Sequence, residues 1–203
     1  MQNFPELETT RLVLREIVLA DAPALLAMYQ NEASMKWRGS DAPTNLAAVE
    51  NMIDLFASGR RQHGGTHWGM ELKSAPGLIG KCGIYAFDPH THQCMLAYEM
   101  ADAHRGAGYM TEALACLLQW MFSYTVINRV GALIPPENTA SHRVMERLTF
   151  SPEGLQRHAA RWSGAYRDML GYSLLRPEFL EAAPAIASML SGMARPRMVL
   201  HTA

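Results

Sequence analysis

Two glycines, Gly106 and Gly108, flank Ala107 directly before an amphipathic stripe in this 203-residue chain. Met110, Ala113, Leu114, Leu117, Leu118, Met121 and Phe122 follow at the intervals of a 3.6-residue period, which predicts an α-helix. Upstream, Met95 to Met100 reads as a short strand, with Glu99 on the face opposite Tyr98 and Met100. A strand, a glycine turn and a helix start bring unpaired backbone N–H groups to one point, with the positive end of the helix macrodipole behind them. Glycine also lets a ligand reach the main chain with no side chain in the way. The chemistry offered there is anion binding, phosphate above all. Two phosphate binders are excluded by spacing. The P-loop requires GxxxxGK[ST], a pattern these glycines do not complete, and the dinucleotide fingerprint GxGxxG requires a glycine where Thr111 stands.

The elements that must position this turn can be read in order. Leu12 to Arg15 is a short strand opened by Thr9-Thr10-Arg11. Asp21 is placed to cap a helix running to about Asn31, and a second helix follows Thr44 with Val49, Met52, Ile53 and Phe56 on one face. Met35 to Gly39 between them is irregular and reads as a loop, with Trp37 a candidate for a pocket wall or for packing over a helix. His67 to Leu72 and Leu78 to Tyr85 alternate as the two arms of a hairpin. After the central helix, Arg129 to Ile134 is a strand, and Pro135-Pro136 ends it. Asn138 then caps a helix carrying Val144, Met145 and Leu148, and Asp168 to Leu175 is the last strand. From Glu178 to Met193, Phe179, Ala183, Ile186, Leu190 and Met193 fall near helical spacing, on condition that the helix starts just before Pro184. The tail from Arg195 is expected to be mobile.

Composition narrows the function classes. The length suits one domain with a proper core. A formal net charge of −1 and 18% charged residues give no footing for nucleic acid held by bulk electrostatics. The first ten residues, MQNFPELETT, lack the layout of a secretory signal, and no apolar run approaches a membrane span, so a cytoplasmic protein without a membrane partner is expected. Cys82, Cys94 and Cys116 are odd in number and widely spaced, which fits reduced, buried thiols. His90 and His92 sit two apart on a tight connection with no third ligand nearby, so no metal site is expected.

The window Ala103-His104-Arg105-Gly106-Ala107-Gly108 resembles motif A of the GNAT N-acetyltransferase superfamily, [Q/R]xxGx[G/A], with Ala103 at the Gln/Arg position and Arg105 as a nearby charge. Asn138 to Phe150 is similar to the second motif, NxxSxxvxxKxGF, with Thr149 in place of its glycine. Met145 stands where many members carry a tyrosine general acid. Thr9-x-Arg11-Leu12-x-Leu14-Arg15 at the start, and Gly154 with Arg157 after the second motif, resemble the branch that acetylates ribosomal-protein N-termini. The resemblance runs from about Glu8 to Pro177.

This resemblance implies an α/β (α+β) fold: a mixed, mostly antiparallel sheet of six to seven strands with a splayed parallel pair, and helices on both faces. It implies a catalytic domain over residues 1–177, and a C-terminal helix and tail over 178–203 for packing or a homodimer contact. Acetyl-CoA is implied as acetyl donor. Its contacts would be unpaired amides of Met100 and Ala101, the turn Arg105, Gly106, Ala107, Gly108, Tyr109 and Met110, and Asn138 and Arg143 of the second motif. Glu99 becomes the candidate base, acting through water, and Ser141 the candidate donor to the thiolate. The implied acceptor is a primary amine, foremost a protein N-terminal α-amino group. A small amine (polyamine, aminoglycoside or amino acid) is the second reading, and an acyl-CoA-binding module without turnover the third.

Overall fold

The computed structural model describes residues 4–62 and 64–190. Its strands are β1 (Leu7–Glu8), β2 (Leu12–Glu16), β3 (Gly65–Leu72), β4 (Ala75–Asp88), β5 (Gln93–Met100), β6 (Arg129–Ile134), β7 (Ser151–Trp162) and β8 (Ala165–Leu175). The helices are α1 (Ala22–Gln30), α2 (Glu32–Met35), α3 (Leu46–Arg61), α4 (Tyr109–Tyr124), α5 (Thr139–Arg147) and α6 (Arg176–Met189). The strands form one eight-stranded sheet in the order β1-β2-β3-β4-β5-β6-β8-β7. Two residues of β1, paired antiparallel with β2, extend the sheet past the six to seven strands expected.

Every strand pairing is antiparallel except β5 with β6. That parallel pair is short. Gln93–Met95 face Arg129–Gly131, and beyond them the two strands part. The rest of β5, from Leu96 to Met100, keeps its other edge on β4. A V-shaped opening therefore cuts into the middle of the sheet.

Strand alternation sends side chains to two cores. The larger joins Leu12, Leu14, Cys82, Leu96 and Met100 of the sheet to the stripe of α4, to Met145 and Leu148, and to Phe179 and Ile186 of α6. The smaller lies under α1 and α3, around Leu25, Met28, Tyr29, Val49 and Ile53. All three cysteines are free and buried, and burial first of all pushes their thiols up to about 12.

Several local expectations change in the structure. The Asp21 side chain does not cap α1; its carboxylate accepts from Arg15 Nη1 at 2.8 Å and Nη2 at 2.9 Å, and from the Val18 amide. Helix α6 does not wait for Pro184. It begins at Arg176 with Pro177 in its first turn and runs through Pro184, because Phe179 and Ile186 anchor one face while Pro184 is exposed, leaving the forfeited backbone bond on the solvent side. Met193 and the tail from Arg195 lie outside the described residues. Strand β7 went unread because all but its last residues are exposed, so it carries no apolar alternation.

Candidate active site

The glycine turn has the backbone geometry expected of an anion cradle. Gly106 and Gly108 both have φ of +80°, a region side-chained residues avoid, and Gly108 is the N-cap of α4. A Cβ built on Gly106 would meet nothing within 4 Å, so the loop's outer surface is open. Behind the loop, Glu112 in the first turn of α4 is 3% exposed and anchors the first strand. Its Oε1 accepts from Thr9 Oγ1 at 2.5 Å and from the Arg11 amide at 3.0 Å, and its Oε2 accepts from Arg11 Nε at 2.6 Å. Arg11 also donates to the Ala107 carbonyl at 2.9 Å and lies over the Tyr109 ring at 4.5 Å. Thr9 and Arg11 thereby brace the glycine turn. A cavity of about 540 Å³ opens beside it, lined by Arg11, Gly108, Thr111 and Arg147 among others.

Arg11 was not singled out in sequence as a cation for this loop; Arg105 was. Arg105 instead donates to the Ala33 carbonyl at 3.0 Å and pairs with Asp102 at 3.4 Å. Met110 is 8% exposed, with its side chain in the main core. Arg143 stands exposed on α5.

Along the opening between β5 and β6 one expectation is corrected. The Ala101 amide is not unpaired: it donates to the Ile79 carbonyl of β4 at 3.0 Å. By the alternation of an antiparallel ladder, the neighbouring Met100 amide then points away from β4, into the opening. Across the gap, Asn138 caps α5 by accepting from the Ser141 amide at 3.2 Å. Met145 is fully buried in the core. Tyr98, on the same face as Leu96 and Met100, has a hydroxyl sealed from solvent without a hydrogen-bond partner. Thr149 makes the turn its family glycine would make, at φ +62°.

Glu99 faces the other way, toward α1 and α3. Arg38 Nε lies 3.2 Å from Oε1, and Lys81 Nζ lies 3.4 Å from Oε2. The three side chains are 14%, 10% and 5% exposed, in the order Glu99, Arg38, Lys81. Lys81 is opposite Glu99 in the β4–β5 register. Arg38 comes from the loop before α3, where it also bonds Ser40 and the Asp41 carbonyl, and Asp41 accepts from the Ser163 amide at the β7–β8 turn. Tyr29 sits under Arg38 at 4.8 Å; burial, then the Glu99 carboxylate, push its phenol up. Lys81 lies near the Phe56 ring, which stacks on His67 at 4.2 Å. Arg38 and Tyr29 were invisible as site residues, since only the fold brings the Arg38 loop over a strand some sixty positions later. The alternation that put Glu99 opposite Tyr98 was the signal that could have found Lys81, one strand over.

The chain's residues 11–151 match the family model described as an acetyltransferase (GNAT) domain. It is 30% identical over 174 residues to the uncharacterized N-acetyltransferase YoaA of Bacillus subtilis, covering 86% of this chain and 98% of that one. It is 31% identical over 187 residues to the ribosomal protein uS5-alanine N-acetyltransferase of Escherichia coli, covering 87% and 95%. Among solved structures, Mycobacterium smegmatis RimJ in complex with CoA-disulfide superposes with a TM-score of 0.82 over 96% of this chain and 95% of that one, at 20% identity, a likeness of fold.

Proposed function

From the premise that this chain belongs to the GNAT acetyltransferase family, and is an N-acetyltransferase using acetyl-CoA, we propose that its acceptor is the α-amino group of a protein N-terminus. The observation that carries this choice is the charge of the acceptor face. Glu99 is the carboxylate there, set between Arg38 and Lys81. A polyamine or an aminoglycoside brings several positive charges and would meet two buried cations for one carboxylate, an unfavourable match. A peptide terminus brings one. The relative that acetylates the alanine of ribosomal protein uS5 adds support from similarity, and three free, buried cysteines suit a cytoplasmic enzyme.

The open cradle and the Met100 amide fit the donor. Bound acetyl-CoA supplies an activated acetyl group as a thioester. Backbone amides of Gly106 to Met110 would hold its pyrophosphate, helped by the end of α4 and by Arg11. The Met100 amide is set to polarise the acetyl carbonyl. Glu99 receives the proton of the acceptor ammonium through water, with Lys81 and Arg38 fixing the carboxylate in place. Residues 1–177 form the catalytic unit, and α6 braces α4 through Phe179 against Phe122 at 5.3 Å.

The test is thiol release from acetyl-CoA against a panel of N-terminal peptides, polyamines, aminoglycosides and amino acids, run with the wild type and Glu99→Gln. Peptides beginning with alanine or serine should turn over, and Glu99→Gln should lose roughly 10²–10⁴ in rate while still binding CoA. Turnover confined to polyamines or aminoglycosides would overturn the choice of acceptor, and an undiminished Glu99→Gln rate would remove Glu99 from the chemistry.

A further inference from the structure

The hairpin of β7 and β8 carries Arg157, Arg161 and Arg167 at exposed positions, and from Gly154 to Arg167 it holds no acidic residue. Arg161 lies over the Tyr166 ring at 5.8 Å and Arg167 over the Trp162 ring at 5.4 Å, and neither pairs with a carboxylate among the described residues. Asp168, the acid that follows, accepts from the His158 amide at 2.9 Å. Tyr166 is opposite Arg161 in the register and Ala160 opposite Arg167, so the two arginines project from opposite faces and the tip is basic on both. This tip is tied to the acceptor face. The Ser163 amide at its turn donates to Asp41 Oδ1 at 2.7 Å, and Asp41 belongs to the loop that brings Arg38 to Glu99. Lys36, at the start of that loop, is exposed with its ammonium over the Trp37 ring at 4.6 Å.

We propose that the protein selects N-termini followed within a few residues by aspartate or glutamate. The inference rests on the reading of Glu99 as the group that receives the acceptor amine. An ammonium arriving at Glu99 finds Arg38 and Lys81 already beside the carboxylate. Around them stand Lys36 and the arginines of the hairpin, while Asp41 and Asp168 hold backbone amides. A terminus that brings only its positive charge is not drawn to such a surround; one with carboxylates just behind its amine is. The fold also sets where those carboxylates belong. The hairpin tip is one short loop and one hydrogen bond away from Glu99, a span that an extended acceptor covers within roughly its first six residues at about 3.3 Å each. Arginines already laid over aromatic rings lose less side-chain freedom when they meet a carboxylate. A nucleic acid would match the charge alone, but the bond from Ser163 to Asp41 joins this charge to the acceptor loop.

Thiol release is compared for peptides of one length that begin with alanine and continue with aspartate and glutamate, with asparagine and glutamine, or with lysine. The acidic peptide should show a KM about tenfold below that of its amide counterpart, the scale of two or three exposed charge pairs. Added salt should shrink the difference. Arg161→Gln combined with Arg167→Gln should bring the ratio of the two KM values close to unity, with CoA affinity unchanged as the sign of an intact fold. Equal KM values in the wild type, or a ratio that the double variant keeps, would overturn the proposal and leave the N-terminal acceptor standing. A single-stranded RNA that binds more tightly than the acidic peptide, and loses that binding in the double variant, would reassign the arginines to nucleic acid and overturn it too. Turnover of polyamines or aminoglycosides with no turnover of any peptide would remove the N-terminal reading, and this inference with it.

Discussion

At the scale of single residues, the departures from the family wording carry the most information. Thr149 replaces the glycine of the second motif and still makes its turn, at φ +62°. A β-branched residue in the left-handed region costs roughly 1–2 kcal/mol, and returning a glycine costs about 0.5–1 kcal/mol through the unfolded chain. Thr149→Gly should therefore stabilise the protein by about 0.5–1 kcal/mol, a rise of roughly 1–4 °C in thermal midpoint for a chain of this size. A midpoint that drops would mean that the bond from Thr149 Oγ1 to the Leu148 carbonyl outweighs the strain. The turn was legible from the motif; the tolerance of threonine in it was not, because a sequence does not record φ. Glu112 shows the same limit. Its place in the first turn suits the helix macrodipole, but its buried bonds to Thr9 and Arg11 depend on partners about a hundred positions away.

At the scale of elements, legibility followed burial. Helix α4 was plain because its core-facing stripe is periodic, and β6 was plain because Arg129 to Ile134 is largely buried and closed by prolines. Strand β7 was hidden because exposure removes the alternation, and the bounds of α6 were misjudged because a tertiary anchor outweighed Pro184. The junction of β5, the glycine turn and α4 yields a prediction of its own. Gly108→Ala places a methyl on the cradle, with the nearest atom beyond the turn, Arg11 Nη2, at an ordinary 3.6 Å, so the cost to the fold is confined to backbone strain of roughly 1–2 kcal/mol. CoA affinity should fall about tenfold, roughly 1.4 kcal/mol. Gly164→Ala in the β7–β8 turn, at φ +74° and in open space, should cost similar stability and leave CoA binding alone. Equal affinities for the two variants would remove the glycine turn as the phosphate site.

At the scale of the whole molecule, the sheet separates the side proposed for the donor from the side proposed for the acceptor. The opening between β5 and β6, α5 and the start of α4 make up the side proposed for the acetyl donor, while α1, α3 and the Arg38 loop enclose the face of Glu99. The face of Glu99 has the smaller core and carries an acid-sensitive group. Burial, then the charge of Lys81, lower the His67 imidazole to about 3 from an ordinary 6.5. The unfolded chain binds a proton at His67 as pH falls below 6.5 and the folded chain does not, so acid favours unfolding over the window from 6.5 down to about 3. Asp21 acts lower still: burial raises its carboxyl, the Arg15 and Val18 hydrogen bonds lower it further, and its stabilisation is lost only as pH falls below the ordinary carboxylate range. Between pH 7 and 5, then, His67 should account for a loss of at most about 2 kcal/mol, at about 1.4 kcal/mol for each pH unit below 6.5. His67→Phe keeps the stacking on Phe56 and removes the titrating group. Urea unfolding at the two pH values should show the wild type losing more stability than His67→Phe over that interval. The same loss in both would place the acid sensitivity elsewhere in the fold and would mean that His67 takes up its proton without leaving the ring of Phe56.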